Sequence, residues 1–428
     1  MNQNKKLKMM KIALSFLIAI AICSVGCSPK TQITPTAKEI SKISTAAGFL
    51  AARTEESGGF IASEDKRDRA SAYAYLYDNA IAAIALSYAG AQQHAEKIAD
   101  AIVFAQGHDR TFQDGRLRNA YNSGDPKSDS GRSIAAGKVT IRLPGFWKDG
   151  HWQEDAHTVS TSTGNMAWAI LGLSIVAKNA LDTQRQEYLT AAMRAADFVL
   201  GLKSDSGGFT AGYEGWDDSQ INATYKSTEH NISLVCAFST LAELVREIDS
   251  DKAALYADAA DHAKDFVLSM YDDKIHCFYT GTMTDGITIS KGIIPLDANS
   301  LTVIILGEEL DDRYQTIDFV EKKMAVGDGF DFSAGDLDGI WNEGTAQMAV
   351  CYRLLENTEK YESTMAYLKT QTAKDGSIPA ADRDGVSTGF AIIGSDILWE
   401  YNNVQSISAT AWLAFAQLDN NHFMRASE

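Results

Sequence analysis

Two kinds of predicted helix alternate along this sequence, and the alternation strongly limits the folds open to it. Apolar residues recur at helical spacing nearly throughout, and only 6 of 428 residues are proline. Helices of the first kind, such as NAIAAIALSYAG, are apolar on most faces and must be surrounded by protein. Those of the second kind, such as QQHAEKIADAIVFAQ, carry charge along one side, which is typical of a surface helix with one buried stripe.

Twelve helices are predicted, six of each kind. The link from an apolar helix to the next charged one is brief, whereas the return link is long and rich in glycine. Apolar helices begin about every 66 residues, and such repeated helix pairs stack so that each buries its neighbour's face. The predicted ranges are 36–53, 69–89, 91–106, 162–179, 184–203, 227–248, 252–271, 296–309, 313–324, 343–356, 358–372 and 406–417.

Six pairs of alternately buried and exposed helices close naturally into an all-α (α/α)6 toroid. We predict this fold for residues 40–420 as a single domain. The inner helices then run in one direction, so that their N-termini open on one rim together with the long loops. The short loops lie on the opposite rim.

The helix pairs and the recurring Gly-Gly-Phe and Asp-Gly turns resemble those of the six-hairpin glycosidase-like superfamily. The resemblance extends over residues 40–418 and concerns architecture, because no catalytic string of a particular glycosidase or lyase family is found. It implies a carbohydrate-active enzyme whose cleft lies on the long-loop rim.

The N-terminus predicts export. Four lysines precede an apolar run from residue 12 to about 22, which is too short to span a bilayer and is typical of a signal peptide. The following Ser24-Val25-Gly26-Cys27 resembles a bacterial lipoprotein box. It implies removal of residues 1–26, a lipid on Cys27 that anchors the protein to the cell envelope, and a tether over 27–39. A plain secretory signal is the alternative.

Composition excludes several partners. Removing residues 1–26 takes away four lysines and no acid, which moves the formal net charge from −17 to −21. A chain this acidic is not attracted to nucleic acid or to anionic lipid, so we expect membrane contact through the lipid alone. Cys236, Cys277 and Cys351 are too far apart for a disulfide framework or a zinc site. We expect a monomer without a cofactor.

Acidic residues stand where the predicted inner helices begin. Glu343 follows Trp341 directly before an apolar helix, and Asp78 and Glu229 stand at equivalent places. Helix capping explains such residues equally well, because polar side chains and first-turn acids suit helix N-termini. On a shared rim, however, they form a pair fit for glycoside hydrolysis. We predict Glu343 as the general acid, with a pKa raised by shielding, and Asp78 or Glu229 as base or nucleophile.

Aromatic and polar neighbours of these acids favour a sugar ligand, because pyranose C–H faces stack on aromatic planes and hydroxyls bond to polar groups. Trp168 and Trp412 fall inside buried helices, whereas the other five tryptophans lie in or near long loops. The insertion at about 107–160 is too long for a structureless linker and is predicted to wall the cleft. The residues predicted to bind substrate are Trp341, Asn342, His230, Asn231, Asp297, Trp216, Asp155, His157 and Trp152.

Other functions remain open. A polysaccharide lyase on this fold would use a base such as His230 or Tyr77, and would need cations for uronic acids; the rim loops offer Lys138, Arg142, Lys148 and Lys226. A non-catalytic glycan-binding lipoprotein would use the carboxylates for recognition alone. The acidic segment 327–339 is an alternative calcium site, although it does not match an ordered calcium loop; its ligands would be Asp328, Asp331, Asp336 and Asp338.

Overall fold

The computed structural model describes residues 44–64, 72–135, 137–391 and 396–418. The predicted signal peptide, Cys27 and the tether lie outside these residues. Within them, none of the helices is long and apolar enough to cross a bilayer. The α-helices of the described ranges are α1 Thr45–Ser57, α2 Leu76–Tyr88, α3 Gln92–Gly107, α4 Ala156–Val159, α5 Thr163–Asn179, α6 Asp182–Leu200, α7 Thr228–Val245, α8 Ser250–Ser269, α9 Leu296–Leu306, α10 Arg313–Met324, α11 Asn342–Leu354, α12 Thr358–Gln371 and α13 Ile407–Gln417.

Six of these helices form a closed inner ring. In chain order they are α2, α5, α7, α9, α11 and α13, and nearly all their side chains are buried. Each contacts the next, and α13 contacts α2 to close the ring. The amphipathic helices α3, α6, α8, α10 and α12 pack outside the inner helices that precede them, and α1 packs on α13. The predicted all-α (α/α)6 toroid is confirmed.

Short strands lie in the loops at the rim on which the inner helices begin. They pair antiparallel in two-stranded ladders, apart from the three-stranded sheet β7-β8-β9, and are too short to leave an alternating sequence pattern. The strands are β1 Tyr73–Tyr75, β2 Ala120–Asn122, β3 Arg132–Ala135, β4 Lys138–Ile141, β5 Phe146–Lys148, β6 His151–Gln153, β7 Thr161–Ser162, β8 Gly212–Glu214, β9 Ile221–Ala223, β10 Tyr271–Asp272, β11 Cys277–Phe278, β12 Gly281–Thr282, β13 Ile289–Ser290, β14 Ala325–Val326, β15 Gly329–Phe330, β16 Ile378–Pro379, β17 Val386–Ala391, β18 Leu398–Tyr401 and β19 Gln405–Ser406.

Two predicted helices differ at their ends. The helix predicted at 69–89 begins only at Leu76, because β1 leaves the helical path to pair with β2. The helix predicted at 36–53 is observed as α1, which Ser44 caps and which Gly58 ends in the left-handed conformation (φ 71°). Residues 36–43 lie outside the described ranges.

In three of the six inner helices the fourth residue is an asparagine that ties the helix to the loop before it. In α7 this residue is Asn231, whose Oδ1 accepts the Phe209 N–H at 2.8 Å. Its Nδ2 donates to the carbonyls of Phe209 at 3.1 Å and Ser227 at 2.8 Å. Asn79 and Asn299 make the same three bonds in α2 and α9. We call these three residues the asparagine struts.

A buried ion pair holds the long insertion in place. The Arg118 side chain is fully buried, and its guanidinium donates to Asp109 at 2.6 and 2.9 Å, to the Val159 carbonyl at 2.8 Å and to Asp217. Burial by itself raises the pKa of Asp109 and of Asp217, but the arginine hydrogen bonds outweigh it, so both pKa values lie below the ordinary 3.8. The residues joined belong to the loops before α5 and α7.

Replacing Arg118 with methionine should destabilise the protein by about 3–5 kcal/mol near neutral pH, because two acids lose their buried partner. Since the folded pKa values are depressed, the ion pair contributes its stability above pH 3.8 and loses it as the pH falls. The difference in the free energy of unfolding between wild type and variant, measured by urea unfolding, should therefore be smaller at about pH 3 than at about pH 6. An equal change in R132M, which removes only an exposed pair with Asp129, would contradict this account.

Candidate active site

A cavity of about 1030 Å³ opens at the end of the ring where the inner helices begin. Loops that precede α2, α5, α7, α11 and α13 supply its walls. The four acids predicted at helix starts all line it, namely Asp78, Glu229, Asp297 and Glu343. The fold thus brings together carboxylates that are separated by up to 265 positions in the sequence.

One helical position lines this cavity in all six inner helices. It is the second helical residue, two places before the strut, and we call the six residues the ring set: Tyr77, Gly164, Glu229, Asp297, Glu343 and Ser408. Three consecutive helices of the ring, α7, α9 and α11, therefore carry an acid at the same height. Asp78 is the residue after Tyr77 in α2, and it also lines the cavity.

Glu343 is held by a tyrosine from the other end of the chain. The Tyr77 hydroxyl donates to Glu343 Oε1 at 2.5 Å, and the Trp412 indole N–H donates to the Tyr77 hydroxyl at 2.9 Å. Burial raises the pKa of Glu343 to about 7, helped by the charges of Asp297 and Glu229, while Tyr77 and Ser408 act in the opposite direction. The carboxyl therefore holds its proton for part of the time at neutral pH.

The other three acids are also shifted upward. Burial raises the pKa of Asp78 to about 8 against hydrogen bonds from Ser63 and Ser408, with the Glu343 charge adding to the increase. Burial and the Glu229 charge raise the pKa of Asp297 to about 7, and burial raises that of Glu229. Carboxyls desolvated together cannot all ionise, so the cluster retains protons that chemistry can use.

Glu229 lies in a crowded corner of the ring. Its Oε1 lies 3.4 Å from the indole nitrogen of Trp168 and 3.2 Å from the Ser233 hydroxyl, and its Oε2 lies 3.6 Å from His230 Nε2. Burial lowers the pKa of His230 to about 4, so the imidazole is neutral at physiological pH. A Cβ at Gly164 would come within 2.4 Å of the imidazole and 3.2 Å of Oε2, so this ring member must lack a side chain.

Aromatic side chains form one wall of the cavity. Trp341 is only 2% exposed, and its ring stacks on Tyr401 at 5.5 Å and 21°. Tyr401 belongs to β18, and burial together with the charges of the four acids raises its pKa well above the ordinary value. At the mouth, His157 packs against Trp399 at 5.4 Å and Tyr75 at 6.1 Å. Sequence reasoning missed Tyr75 and Tyr401, because tyrosines in short rim strands carry no pattern of their own.

Five residues predicted to bind substrate do not line the cavity. Asn231 is an asparagine strut, and Asn342 is equally buried, with its amide donating to the Pro379 carbonyl at 3.0 Å. Asp155 caps α4 by accepting the Thr158 N–H at 2.8 Å. Trp216 is 43% exposed elsewhere, and Trp152 packs beneath Arg142 in the β5–β6 hairpin. Their polar or aromatic character serves the loops instead.

The cavity lining is acidic. Eight carboxylates line it, whereas Arg53, paired with Glu56, is the single lysine or arginine among the described lining residues. The cations proposed for a lyase are elsewhere: Lys138, Arg142 and Lys148 are not in the lining. Lys226 is buried, and its ammonium donates to the Ser206 hydroxyl and the Gly207 carbonyl, both at 2.7 Å.

The acidic segment before α11 brings three of its four predicted calcium ligands together. Carboxylate oxygens of Asp331, Asp336 and Asp338 lie within 4.8 Å of one another, without Asp328. Asp331 already accepts the backbone N–H groups of Phe332 at 2.7 Å and Asp338 at 3.1 Å, which accounts for its burial without an ion. Calcium binding here stays a prediction.

Comparison with known proteins identifies the fold. No protein-family model and no curated protein sequence matches this chain. A glycosidase solved in complex with glucose matches with a TM-score of 0.59 and 12% identity, over 90% of this chain and 98% of that one. An alpha-amylase from Clostridium perfringens (0.55, 10%, 90% and 98%) and a cellobiose 2-epimerase from Bacillus thermoamylovorans (0.54, 14%, 86% and 95%) also match. The chain thus has the same (α/α)6 toroidal fold as these three enzymes.

Proposed function

We propose that this protein is a glycoside hydrolase that acts on a poly- or oligosaccharide, with Glu343 as general acid. The observation that carries the proposal is a buried carboxyl with a pKa of about 7 that faces a large aromatic-walled cavity together with further carboxyls. Glycoside hydrolysis needs such a proton-holding acid and a second carboxylate near the scissile bond. The glycosidases among the matching structures are consistent with this chemistry.

Glu229 is the better second carboxylate of the two predicted. Glu229 is partly exposed, whereas Asp78 is buried and shares the Ser408 hydroxyl with Glu343. A carboxyl that shares a hydroxyl with the acid approaches the sugar from the same side. Acid and base must flank the scissile bond, and Glu229, two helices away from Glu343 around the ring, satisfies this requirement better.

The reaction then follows from two proton positions. Glu343 gives its proton to the glycosidic oxygen as the bond between this oxygen and the anomeric carbon breaks, and positive charge develops on the sugar ring. The ionised carboxylates of the cavity stabilise this charge. The leaving sugar departs as an alcohol. Glu229 either takes a proton from the water that attacks the anomeric carbon, or attacks this carbon itself; in the second case water, deprotonated by Glu343, then cleaves the resulting glycosyl ester and frees Glu229.

The substrate in this proposal carries no negative charge, because the described lining offers uronic acids and sulfated sugars one arginine, Arg53, which is already paired with Glu56. From the N-terminal segment we further propose that the enzyme lies in the bacterial cell envelope, with a lipid on Cys27 as its anchor. A lyase would need cations beside the cavity, which its described lining does not supply.

A panel of purified glycans tests the proposal. We expect new reducing ends from a neutral glycan and no ultraviolet absorbance from unsaturated products. The value of kcat/KM should fall above about pH 7, as Glu343 loses the proton it must donate, and again in acid, where Glu229 becomes protonated. Unsaturated products from a uronic acid polymer would establish the lyase instead, and binding without any turnover would establish a glycan-binding protein.

A further inference from the structure

Tyr77 connects the general acid to the core of the ring. It is the ring-set residue of α2, and it reaches Glu343 of α11 across the chamber, with α13 lying between the two helices. Its ring packs edge-on against Trp168 at 5.4 Å and 73°, which fixes where the hydroxyl stands. Its neighbours are therefore set by packing rather than by solvent.

The direction of each hydrogen bond follows from the donors present. An indole N–H can only donate, so the Tyr77 oxygen accepts from Trp412 at 2.9 Å. The hydroxyl proton must then point to an acceptor. Among the described residues, Glu343 Oε1, at 2.5 Å, is the one acceptor within hydrogen-bonding distance. Oε1 is thus occupied as an acceptor, whatever the protonation state of the carboxyl.

We propose that Tyr77 is a positioning residue that reserves Oε1 of Glu343 as an acceptor and thereby directs the transferable proton to Oε2. This inference rests on the proposed function for its catalytic meaning. The Tyr77 hydrogen bond also fixes the plane of the Glu343 carboxyl and stabilises the carboxylate left after proton transfer. This positioning role argues against Tyr77 as the base of a lyase, because a phenol whose proton is hydrogen-bonded to a neighbouring carboxylate is a poor base.

Tyr77→Phe keeps the ring against Trp168 and removes the hydroxyl alone. We expect kcat to fall about 10–100-fold with little change in KM, because the acid is misoriented while the sugar contacts remain. The alkaline limb of the pH profile should move up by about one to two pH units, because ionised Glu343 loses a charge-assisted hydrogen bond. Trp412→Phe should shift this limb in the same direction by less, because Tyr77 keeps its proton but loses the donor that aligns it.

The pKa of Glu343 can be followed without any substrate. Carbon-13 labelling of glutamate carboxyls, with E343Q to assign the resonance, gives its titration in wild type and in Y77F. An upward shift in Y77F supports the positioning role even if no glycan is ever turned over, and in that case only the proposed function fails. An unchanged titration in a folded Y77F overturns the inference even if the enzyme is active.

Tyr188 supplies a matched control in the outer sleeve. It is fully buried on α6, and its hydroxyl donates to Asp100 at 2.7 Å, so Tyr188→Phe loses the same kind of bond far from the cavity. We expect a lower midpoint of thermal unfolding with no change in the pH profile or in the Glu343 titration. Equal shifts in Y188F and Y77F would show that the effect is structural, and would overturn the proposal.

Discussion

Glu343→Gln is expected to lower kcat on a natural glycan by about 10²–10⁴-fold, while the protein still binds that glycan. Glutamine keeps the shape of the side chain and can still accept the Tyr77 hydrogen bond, but it has no proton to give to the leaving oxygen. Turnover is measured as reducing ends, and binding by calorimetry. An aryl glycoside, whose leaving group departs without a proton, should be affected much less.

Glu359→Gln is the matched control for this variant, because Glu359 is an exposed residue in the first turn of the outer helix α12. It should match wild type in both turnover and binding. Full activity of E343Q would remove Glu343 from the mechanism. A parent protein that binds glycan but shows no turnover would make the cavity a recognition site.

Asn231→Ala is expected to lower the free energy of unfolding by about 4 kcal/mol, because it leaves two buried backbone groups without a partner and removes a third hydrogen bond. The two groups are the N–H and the carbonyl of Phe209, whereas the Ser227 carbonyl keeps the backbone N–H of residue 231 at 3.1 Å. The asparagine itself is fully buried. Urea unfolding followed by circular dichroism measures the loss. No lining residue is removed, so the folded variant should retain its affinity for glycan.

Asn222→Ala separates this effect from the loss of any amide. Asn222 is exposed, and its side chain accepts one hydrogen bond, from the Thr210 hydroxyl at 3.3 Å. It should cost less than about 0.5 kcal/mol, as surface substitutions usually do. If N231A kept its stability and lost glycan binding instead, the sequence-based assignment of Asn231 to the substrate would be right and the strut interpretation wrong.

The predicted site shows how far residue type alone can lead. The sequence indicates Asp78, Glu229, Asp297 and Glu343 because each acid lies near the start of a predicted inner helix, and the structure places all four on one cavity. Asn231 was misplaced for an instructive reason. A polar residue beside a catalytic candidate suggests a second group for binding substrate, whereas Asn231, at position four of its helix, faces the preceding loop and not the cavity.

Alignment of the six inner helices on position four would have separated these roles. Position two then yields Tyr77 and Gly164 as members of the ring set, although neither has a charge that draws notice. Tyr401 would still have been missed, because it belongs to β18 and enters the cavity from a rim hairpin and not from an inner helix.

The sequence by itself determined the toroidal fold, the rim on which the inner helices begin, and the acidic side chains at that rim. These properties follow from helical periodicity, from loop length and from charges near helix ends, all of which are local along the chain. Only the tertiary structure decided that the pKa values of these acids are raised and that Glu343 is hydrogen-bonded to Tyr77. That outcome depends on burial and on partners such as Tyr77 and Trp412, which meet Glu343 from distant parts of the chain, and no local pattern encodes such a meeting.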